Sequence, residues 1–502
     1  MNLTKKLFSY IVAIAMIFTL TAFAGGAVNA ADAETYTLTL TGTTTGHTYE
    51  AYQIFTGDLS EGILSNVKWG KGVTYKEETS AADVAKALGE NKLTIAQLID
   101  KLTLTTVAKT VKSAEGSTVI DGLAAGYYLV KDQDGTQDGK SDAYTKFIVQ
   151  VVGDTEAAIK SGVPTVTKKV KDTNDSTDET SNWQDSADYD IDDYVPYQIT
   201  GTMPDNIADY TTYKYEFTDT MSQGLTYVND KDDKDHKTTI KIGDTDVTES
   251  FKEVKTENTD GKTTVTWTCN NLKNKEDNKL KDITLTKDST VVVTYFAKLN
   301  EDAVIGSAGN PNTVNLTYSN NPNKDGEGET GKTPDDKNIV FTYKAVVNKV
   351  DQEQKTLAGA AFKLEKKNNQ GVYNLVKSFT AGNDTTFEFK GLDDGDYKLT
   401  ETTTPAGYNT ITPIEFTISA EHDKESADPQ LTDLSVEVTK GEANFTAKTG
   451  EGSLTTNVVN KKGSTLPETG GMGTTLLYAV GGVLVALAAA YIIISKKHEK
   501  AE

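Results

Sequence analysis

Gly391-Leu392-Asp393-Asp394-Gly395-Asp396-Tyr397-Lys398-Leu399-Thr400-Glu401 reads as a tight glycine-bearing turn feeding a strand that ends in a carboxylate. Gly122-Leu123-Ala124-Ala125-Gly126-Tyr127-Tyr128-Leu129-Val130-Lys131-Asp132 matches it without a gap, so the two ends of the chain carry cousin β units. Between and around them nearly every segment has strand character. Tyr36-Thr37-Leu38-Thr39-Leu40-Thr41 alternates apolar residues with threonine. Phe147 to Val152, Thr290 to Tyr295 and Leu316 to Tyr318 are rich in β-branched and aromatic side chains. Helical periodicity is convincing only from Ser80 to Leu102, where Val84, Leu88, Leu93, Ile95, Leu98 and Ile99 predict two short helices set into a sheet domain. The fold class is mainly β, a series of antiparallel, immunoglobulin-like sandwiches.

Both ends of the chain carry targeting signals. Lys5 and Lys6 precede an apolar stretch, Leu7 to Phe23, and small residues lead to Val28-Asn29-Ala30, a signal-peptide pattern with cleavage before Ala31. At the other end stand Leu466-Pro467-Glu468-Thr469-Gly470, an apolar run from Thr474 to Ile494, and Lys496, Lys497 and Lys500. The run is long enough to span ~30 Å of hydrocarbon as a helix, and the lysines hold the tail on the cytoplasmic side. The remaining span of about 440 residues corresponds to about three domains. The acid-rich, glycine-bearing stretch Gly153 to Val163 reads as one link. Asn320 to Lys337 reads as a second link or long loop, and Asp172 to Asp193 as a loop within the middle domain.

Net charge is −22, with 73 acidic against 51 basic residues, which argues against nucleic acid or an anionic membrane surface as partners. The one cysteine, Cys269, cannot form an internal bridge and sits in a strand-like run as a small packed side chain. An exported chain without disulfides stands on its cores alone or uses another covalent link. Asn229 to His236 is acidic but lacks the glycine and bidentate glutamate of an EF-hand, and reads as a solvated hairpin tip. No zinc spacing, phosphate loop or Ser/His/Asp set emerges, so no cofactor or metal is expected and the chain is not read as an enzyme.

Period-two alternation isolates a chemical anomaly. Lys168 shares a strand face with Val166 and Val170, and Lys349 with Ala345 and Val347. Asp219 falls on the face of Tyr215, Phe217 and Met221, and Glu401 on that of Tyr397 and Leu399. Asn312 and Asn460 lie in strands near the ends of the same two domains. Burial drives a lysine toward neutral amine and an acid toward neutral carboxyl. Such an amine can attack a carboxamide polarised by such an acid, releasing ammonia and leaving an intramolecular isopeptide bond. Snorkelling lysines paired with solvent-exposed acids are the alternative.

Leu466 to Gly470 with its apolar run and basic tail resembles the LPxTG cell-wall sorting signal of Gram-positive surface proteins. In that family a sortase cysteine attacks after the threonine, which implies Thr469 as the acyl-enzyme residue. Leu357-Ala358-Gly359-Ala360-Ala361-Phe362-Lys363-Leu364 with Leu399-Thr400-Glu401-Thr402-Thr403-Thr404-Pro405-Ala406-Gly407-Tyr408 resembles the prealbumin-like B-type domain of collagen adhesins and SpaA-type pilins. The resemblance implies Lys349 as amine, Glu401 as catalyst and Asn460 as acceptor, with Asn457 the acceptor in a different register. Phe217 to Met221 and Asn315 to Pro322 are similar to the second domain of backbone pilins, implying Lys168, Asp219 and Asn312, with Lys169 as runner-up amine. Gly46-His47-Thr48-Tyr49-Glu50-Ala51-Tyr52-Gln53-Ile54-Phe55 and Trp69-Gly70 resemble the amino-terminal domain of the same pilins. That unit departs from the bond-forming pattern: no lysine interrupts Tyr36 to Thr41, Gln150 stands where an asparagine is needed, and the acid is Asp132. No bond is expected there, and His47 is read as a turn residue or packed tip.

Together these readings imply a secreted, fimbrial, peptidoglycan-anchored backbone pilin that supports cell adhesion. Its expected divisions are a signal peptide at 1–30, an N-terminal pilin domain at 31–160, a middle pilin domain at 161–342, a C-terminal B-type domain at 343–463, and the sorting signal with its transmembrane helix at 464–502. The implied partners are sortase, identical subunits, peptidoglycan and a host or cell-surface ligand, with the precursor transiently in the membrane. Lys160 in Ala157-Ala158-Ile159-Lys160-Ser161-Gly162-Val163-Pro164 occupies the place of the intersubunit lysine, though no proline precedes it, and Lys168 and Lys169 are alternatives. A monomeric wall-anchored adhesin or minor pilin is the alternative function.

Overall fold

The computed structural model describes residues 34–462, apart from 61–62, 91, 94, 139, 141, 160–161, 230–232, 234 and 323–328, together with 479–490. The sorting pentapeptide and Lys160 lie outside the described residues. Of the Thr474 to Ile494 run only 479–490 is described, as helix, and no helix among the described residues is long and apolar enough to cross a membrane.

Strands dominate, and they sort into three successive groups. In the first, Thr35–Thr43 pairs antiparallel with Gly116–Ala124, and a second sheet runs in the order Ile63–Trp69, Thr48–Ser60, Gly126–Asp132, Lys146–Val151. The predicted helices are present as Ala81–Gly89 and Ile95–Asp100. Ser80 caps the first by accepting from the Asp83 amide at 3.1 Å, and Val84, Leu88 and Leu98 are buried against the sheet. The expected link at Gly153 to Val163 is in part a strand. Thr155–Ala158 pairs parallel with Thr35–Thr43, Leu38 opposite Thr155 through Thr41 opposite Ala158. Its glycine and acids suggested a linker, but the free edge of Thr35–Thr43 needs backbone partners, and this segment supplies them.

The repeat is structural. Gly122 and Gly391 both adopt positive φ, 64° and 74°, which side chains with a Cβ resist. Each turn launches a central strand, Gly126–Asp132 or Gly395–Thr403, that carries its carboxylate into the interior.

The middle group is a two-sheet sandwich. One sheet contains Val166–Val170, Tyr194–Thr202 and Thr290–Leu299; the other contains Asp336–Phe341, Asn310–Ser319, Tyr215–Met221 and Thr263–Cys269. Alternating burial along these strands places Tyr197, Tyr215, Phe217, Trp267, Val293, Val314 and Leu316 in one core. Cys269 is buried there, which pushes its thiol up to about 11 and leaves it an inert packing group. Asn320 to Lys337, expected as a link or loop, contains a strand, Thr330–Lys332, paired on Thr317–Ser319.

In the third group, Thr386–Leu392, Tyr343–Asp351, Ser453–Asn460 and Phe445–Lys448 form one sheet, and Tyr373–Ser378, Ala361–Lys367, Gly395–Thr403, Ile414–His422 and Leu431–Lys440 the other. Strand Asp336–Phe341 serves two cores at once: Val340 belongs to the middle core, while Ile339 and Phe341 belong to the third.

Asp172 to Asp193 includes the short strands Thr173–Asn174, Glu179–Thr180 and Ser186–Asp188, and packs against the third group. Lys366 reaches Asp190 at 2.7 Å and Asp175 at 3.1 Å and also pairs with Asp393. His422 lies 3.5 Å from Asp172 and 3.6 Å from Asp188, and its Nδ1 is 2.7 Å from the Ser186 hydroxyl. Of the acids that read as a loop in sequence, Asp172, Asp188 and Asp190 are therefore drawn into a joint between two strand groups, while Asp178, Glu179 and Asp192 stay exposed.

Candidate functional site

In the middle sandwich the two sheets bring four reactive side chains face to face. Val166–Val170 buries Lys168 completely, because its alternate positions line the core. From the opposite sheet come Asp219 and Asn312, on adjacent antiparallel strands whose register sets Asp219 opposite Val314 and Met221 opposite Asn312. Both are fully buried. Lys168 Nζ contacts Asp219 Oδ2 and the Tyr295 hydroxyl. The Tyr295 hydroxyl donates to Asp219 Oδ1 at 3.0 Å and accepts from Asn312 Nδ2 at 2.8 Å. Lys168 Nζ also lies 4.9 Å from the Tyr197 ring centre and 5.0 Å from that of Tyr295.

Loss of water dominates the electrostatics. Burial pushes the Lys168 ammonium down and the Asp219 carboxyl up, and each is only partly opposed by the other's charge. Both shifts favour a neutral amine beside a neutral acid. Asn312 Oδ1 has no hydrogen-bond partner, so the carboxamide is held by its nitrogen and leaves its carbonyl open to polarisation.

The third group repeats the residue types with different geometry. Tyr343–Asp351 and Ser453–Asn460 are parallel neighbours, with Lys349 opposite Val458 and Asp351 opposite Asn460. Lys349 and Asn460 are fully buried, and Glu401 reaches toward them from the facing sheet. Glu401 Oε2 accepts from Asn460 Nδ2 at 2.9 Å and from the Ile411 amide at 3.2 Å. Lys349 Nζ donates to the Val350 and Val458 carbonyls at 2.9 and 3.0 Å. Burial pushes its ammonium down to about 8, against the pull of Glu401 and Asp351. Register separates the two candidate asparagines. Asn457 points out of the opposite face, where it donates to Gln354 at 3.1 Å.

In the first group the position of Glu401 is taken by Asp132, and its partner is His47, at 2.8 Å from Nδ1. Asp132 Oδ2 also accepts from the Thr145 amide at 2.6 Å. His47 is 3% exposed and stacks on Tyr49, a packed side chain. Burial opposes its charge, yet Asp132 and Asp142 raise the imidazolium overall. Lys169 pairs with Asp185 at 2.8 Å and Glu425 at 3.1 Å. It is engaged at the joint with the third group.

Sequence reasoning did not find Tyr295, whose only signal is a tyrosine on the core face of a strand that opens with β-branched residues, Thr290 to Thr294. It also missed Asn338. This residue lies across from Asn312, is fully buried, and has neither carboxamide atom hydrogen-bonded.

Residues 191–322 match the family described as Gram-positive pilin backbone subunit 2, a Cna-B-like domain, and residues 344–433 match the SpaA prealbumin-like fold domain. Residues 458–501 match the LPXTG cell wall anchor motif. Together the three matches give the chain the domain set of Gram-positive backbone pilins. The trypsin-resistant surface T6 protein of Streptococcus pyogenes serotype M6 is 26% identical to this pilin over 408 residues, covering 69% of this chain and 71% of that protein. The solved T6 backbone pilin of the same serotype, described as a modular three-domain structure, superposes with a TM-score of 0.52 at 20% identity, over 87% of this chain and 100% of that one. The full-length major pilin SpaD of Corynebacterium diphtheriae is 21% identical, with a TM-score of 0.48 over 86% of this chain and 98% of its own. The pilin is thus a structural subunit of a surface pilus, secreted and attached to the cell wall through its LPXTG anchor, with sortase as the enzyme that acts on it.

Proposed function

We propose that this pilin is polymerised head to tail through Thr469, whose acyl-enzyme is resolved by Lys160 of the next subunit, and that each subunit staples itself with two isopeptide bonds. In the middle domain, 161–342, Lys168 would join Asn312 with Asp219 as the acid. In the C-terminal domain, 343–463, Lys349 would join Asn460 with Glu401 as the acid. The N-terminal domain, 31–160, carries no such bond and relies on its His47–Asp132 pair. A host or cell-surface ligand remains part of this proposal, as the adhesive role of the assembled pilus.

The observation that carries the reading is the middle cluster: a lysine, an acid and an asparagine, all at 0% exposure, joined by one hydrogen-bonded network. A buried pair of full charges here would have a desolvation cost of several kcal/mol per ion. A neutral pair that reacts exchanges that cost for a covalent amide. Burial also removes Lys168 from any sortase, which leaves linker lysines for the intersubunit role. Intact mass of the mature chain tests the internal chemistry: two bonds release two ammonias and lower the mass by about 34 Da. An unshifted mass would overturn both.

A further inference from the structure

We propose that Tyr295 is a catalytic residue of the middle-domain reaction, relaying a proton from Asp219 to the departing nitrogen of Asn312. This inference rests on the isopeptide reading above and adds a participant to it.

The two clusters differ where a proton must travel. In the C-terminal cluster the acid touches the leaving nitrogen itself, Glu401 Oε2 lying 2.9 Å from Asn460 Nδ2. In the middle cluster Asn312 Nδ2 donates to the Tyr295 hydroxyl, and its influence on the Asp219 carboxyl is smaller than that of Lys168 or Tyr295. The Tyr295 hydroxyl stands between acid and carboxamide, 3.0 Å from Asp219 Oδ1 and 2.8 Å from Asn312 Nδ2. Asp219 Oδ2 meanwhile contacts Lys168 Nζ. The carboxyl therefore has one oxygen on the nucleophile and the other on the phenol, and the phenol is on the leaving group.

The step balances through this chain. Neutral Lys168 Nζ attacks Cγ of Asn312, forming the new C–N bond. With Asp219 protonated on Oδ1, the Tyr295 hydroxyl rotates to accept from it. Nζ then gives a proton to Asp219 Oδ2, the carboxyl gives the proton on Oδ1 to Tyr295, and Tyr295 gives its own to Nδ2. The Cγ–Nδ2 bond breaks and ammonia departs. One proton enters at Nζ and one leaves at Nδ2, and Asp219 and Tyr295 end as they began, with the acid proton moved to the other carboxyl oxygen.

Packing fits Tyr295 for the task. Its ring is fully buried, stacked on Tyr197 at 5.2 Å between centres and packed against Trp267 at 5.2 Å, so the hydroxyl is fixed among its three partners, Lys168, Asp219 and Asn312. Burial holds the phenol far above its usual titration, so the proton moves through it in concert and no phenolate accumulates. Asn460 is served directly by Glu401, which gives each molecule an internal control.

The experiment is a time course of the full mature chain made by cell-free synthesis, with each cross-link quantified by peptide mass mapping. With Tyr295→Phe, the Lys168–Asn312 bond should form at least about 100-fold more slowly, the scale of lost general acid–base catalysis. The Lys349–Asn460 bond should keep its wild-type rate. A middle bond that forms at the wild-type rate in Tyr295→Phe overturns the relay. A wild-type chain lacking the Lys168–Asn312 cross-link overturns instead the reading beneath it. Folding is checked by protease resistance against Lys168→Met, which cannot react. If Tyr295→Phe loses that resistance, the wild-type rate in mixtures of light and heavy water decides: a curved dependence on deuterium fraction supports several protons in flight, and a linear one refutes the relay.

Discussion

Replacing Lys168 by methionine removes the amine while keeping an unbranched, buried side chain of similar length. Asp219 is left facing Tyr295 and can stay protonated, so no orphan charge complicates the result. On the isopeptide reading, what disappears is the closure of a loop of roughly 140 residues, worth about 5 kcal/mol in the chain-entropy treatment of cross-links. For a region of this size, 1 kcal/mol moves the thermal midpoint by about 2–4 °C, so Lys168→Met should lower it by roughly 10–20 °C. Trp267, 1% exposed in the middle core, reports the transition once Trp69 and Trp183 are replaced by phenylalanine. The same sample should be about 17 Da heavier than its parent after correction for the substitution. A midpoint within ~3 °C of the parent would mean that no covalent closure supports this core. A lowered midpoint without the mass difference would mean that the lysine acts by packing alone.

Glu401→Ala and Asn460→Ala should each abolish the C-terminal cross-link, while Asn457→Ala and Asn338→Ala leave both bonds in place; peptide mapping separates the four. His47→Ala should destabilise the N-terminal strands by about 3–5 kcal/mol at neutral pH, because it strips the buried Asp132 of its partner, and denaturant unfolding of the variant measures it. At the joint between the middle and C-terminal strands, burial opposes the His422 charge, but Asp172 and Asp188 raise it to about 9. A raised histidine gives stability that is complete below its unfolded value near ~6.5 and lost as pH rises through the folded one. The joint should therefore loosen between these values. His422→Gln should flatten that limb, and a wild-type advantage that grows with pH there would refute the assignment. Asp193 and Asp394, raised to about 7 by burial and by neighbouring acids, add a decline that begins lower, as pH climbs from about 4 toward 7. On denaturing gels of cell-wall extracts, Lys160→Ala should replace the high-molecular-weight ladder with monomer and Lys169→Ala should not.

Alternation made the buried faces legible before any coordinates. Lys168, Asp219, Lys349 and Glu401 betrayed themselves because a charged residue on the apolar face of a strand breaks a two-residue period. The cousin turns at Gly122 and Gly391 were legible because the left-handed backbone there selects glycine. Three things were not. Tyr295 looks like any aromatic core residue until the facing sheet places Asp219 and Asn312 against its hydroxyl. The segments at Thr155–Ala158 and Thr330–Lys332 have linker composition and become strands only because a neighbouring edge has unpaired amides and carbonyls to satisfy. The acids from Asp172 to Asp193 have the composition of solvated loop, and only the arrival of Lys366 and His422 from residues far along the chain makes the enclosure of Asp172, Asp188 and Asp190 tolerable.

The C-terminal strand group begins with Tyr343–Asp351 and ends with Ser453–Asn460, and these two strands lie side by side and parallel, in register from Lys344 opposite Ser453 to Asp351 opposite Asn460. When tension pulls the start of the first strand one way and the end of the second the other way, the two strands must slide past each other. All hydrogen bonds of the ladder are then loaded together in shear, whereas an antiparallel hairpin would open one bond at a time like a zip. Lys349 and Asn460 sit at the far end of that ladder, where the load leaves the domain. The fold itself is a mechanical clamp, and an amide at that point would let tension bypass the residues between them.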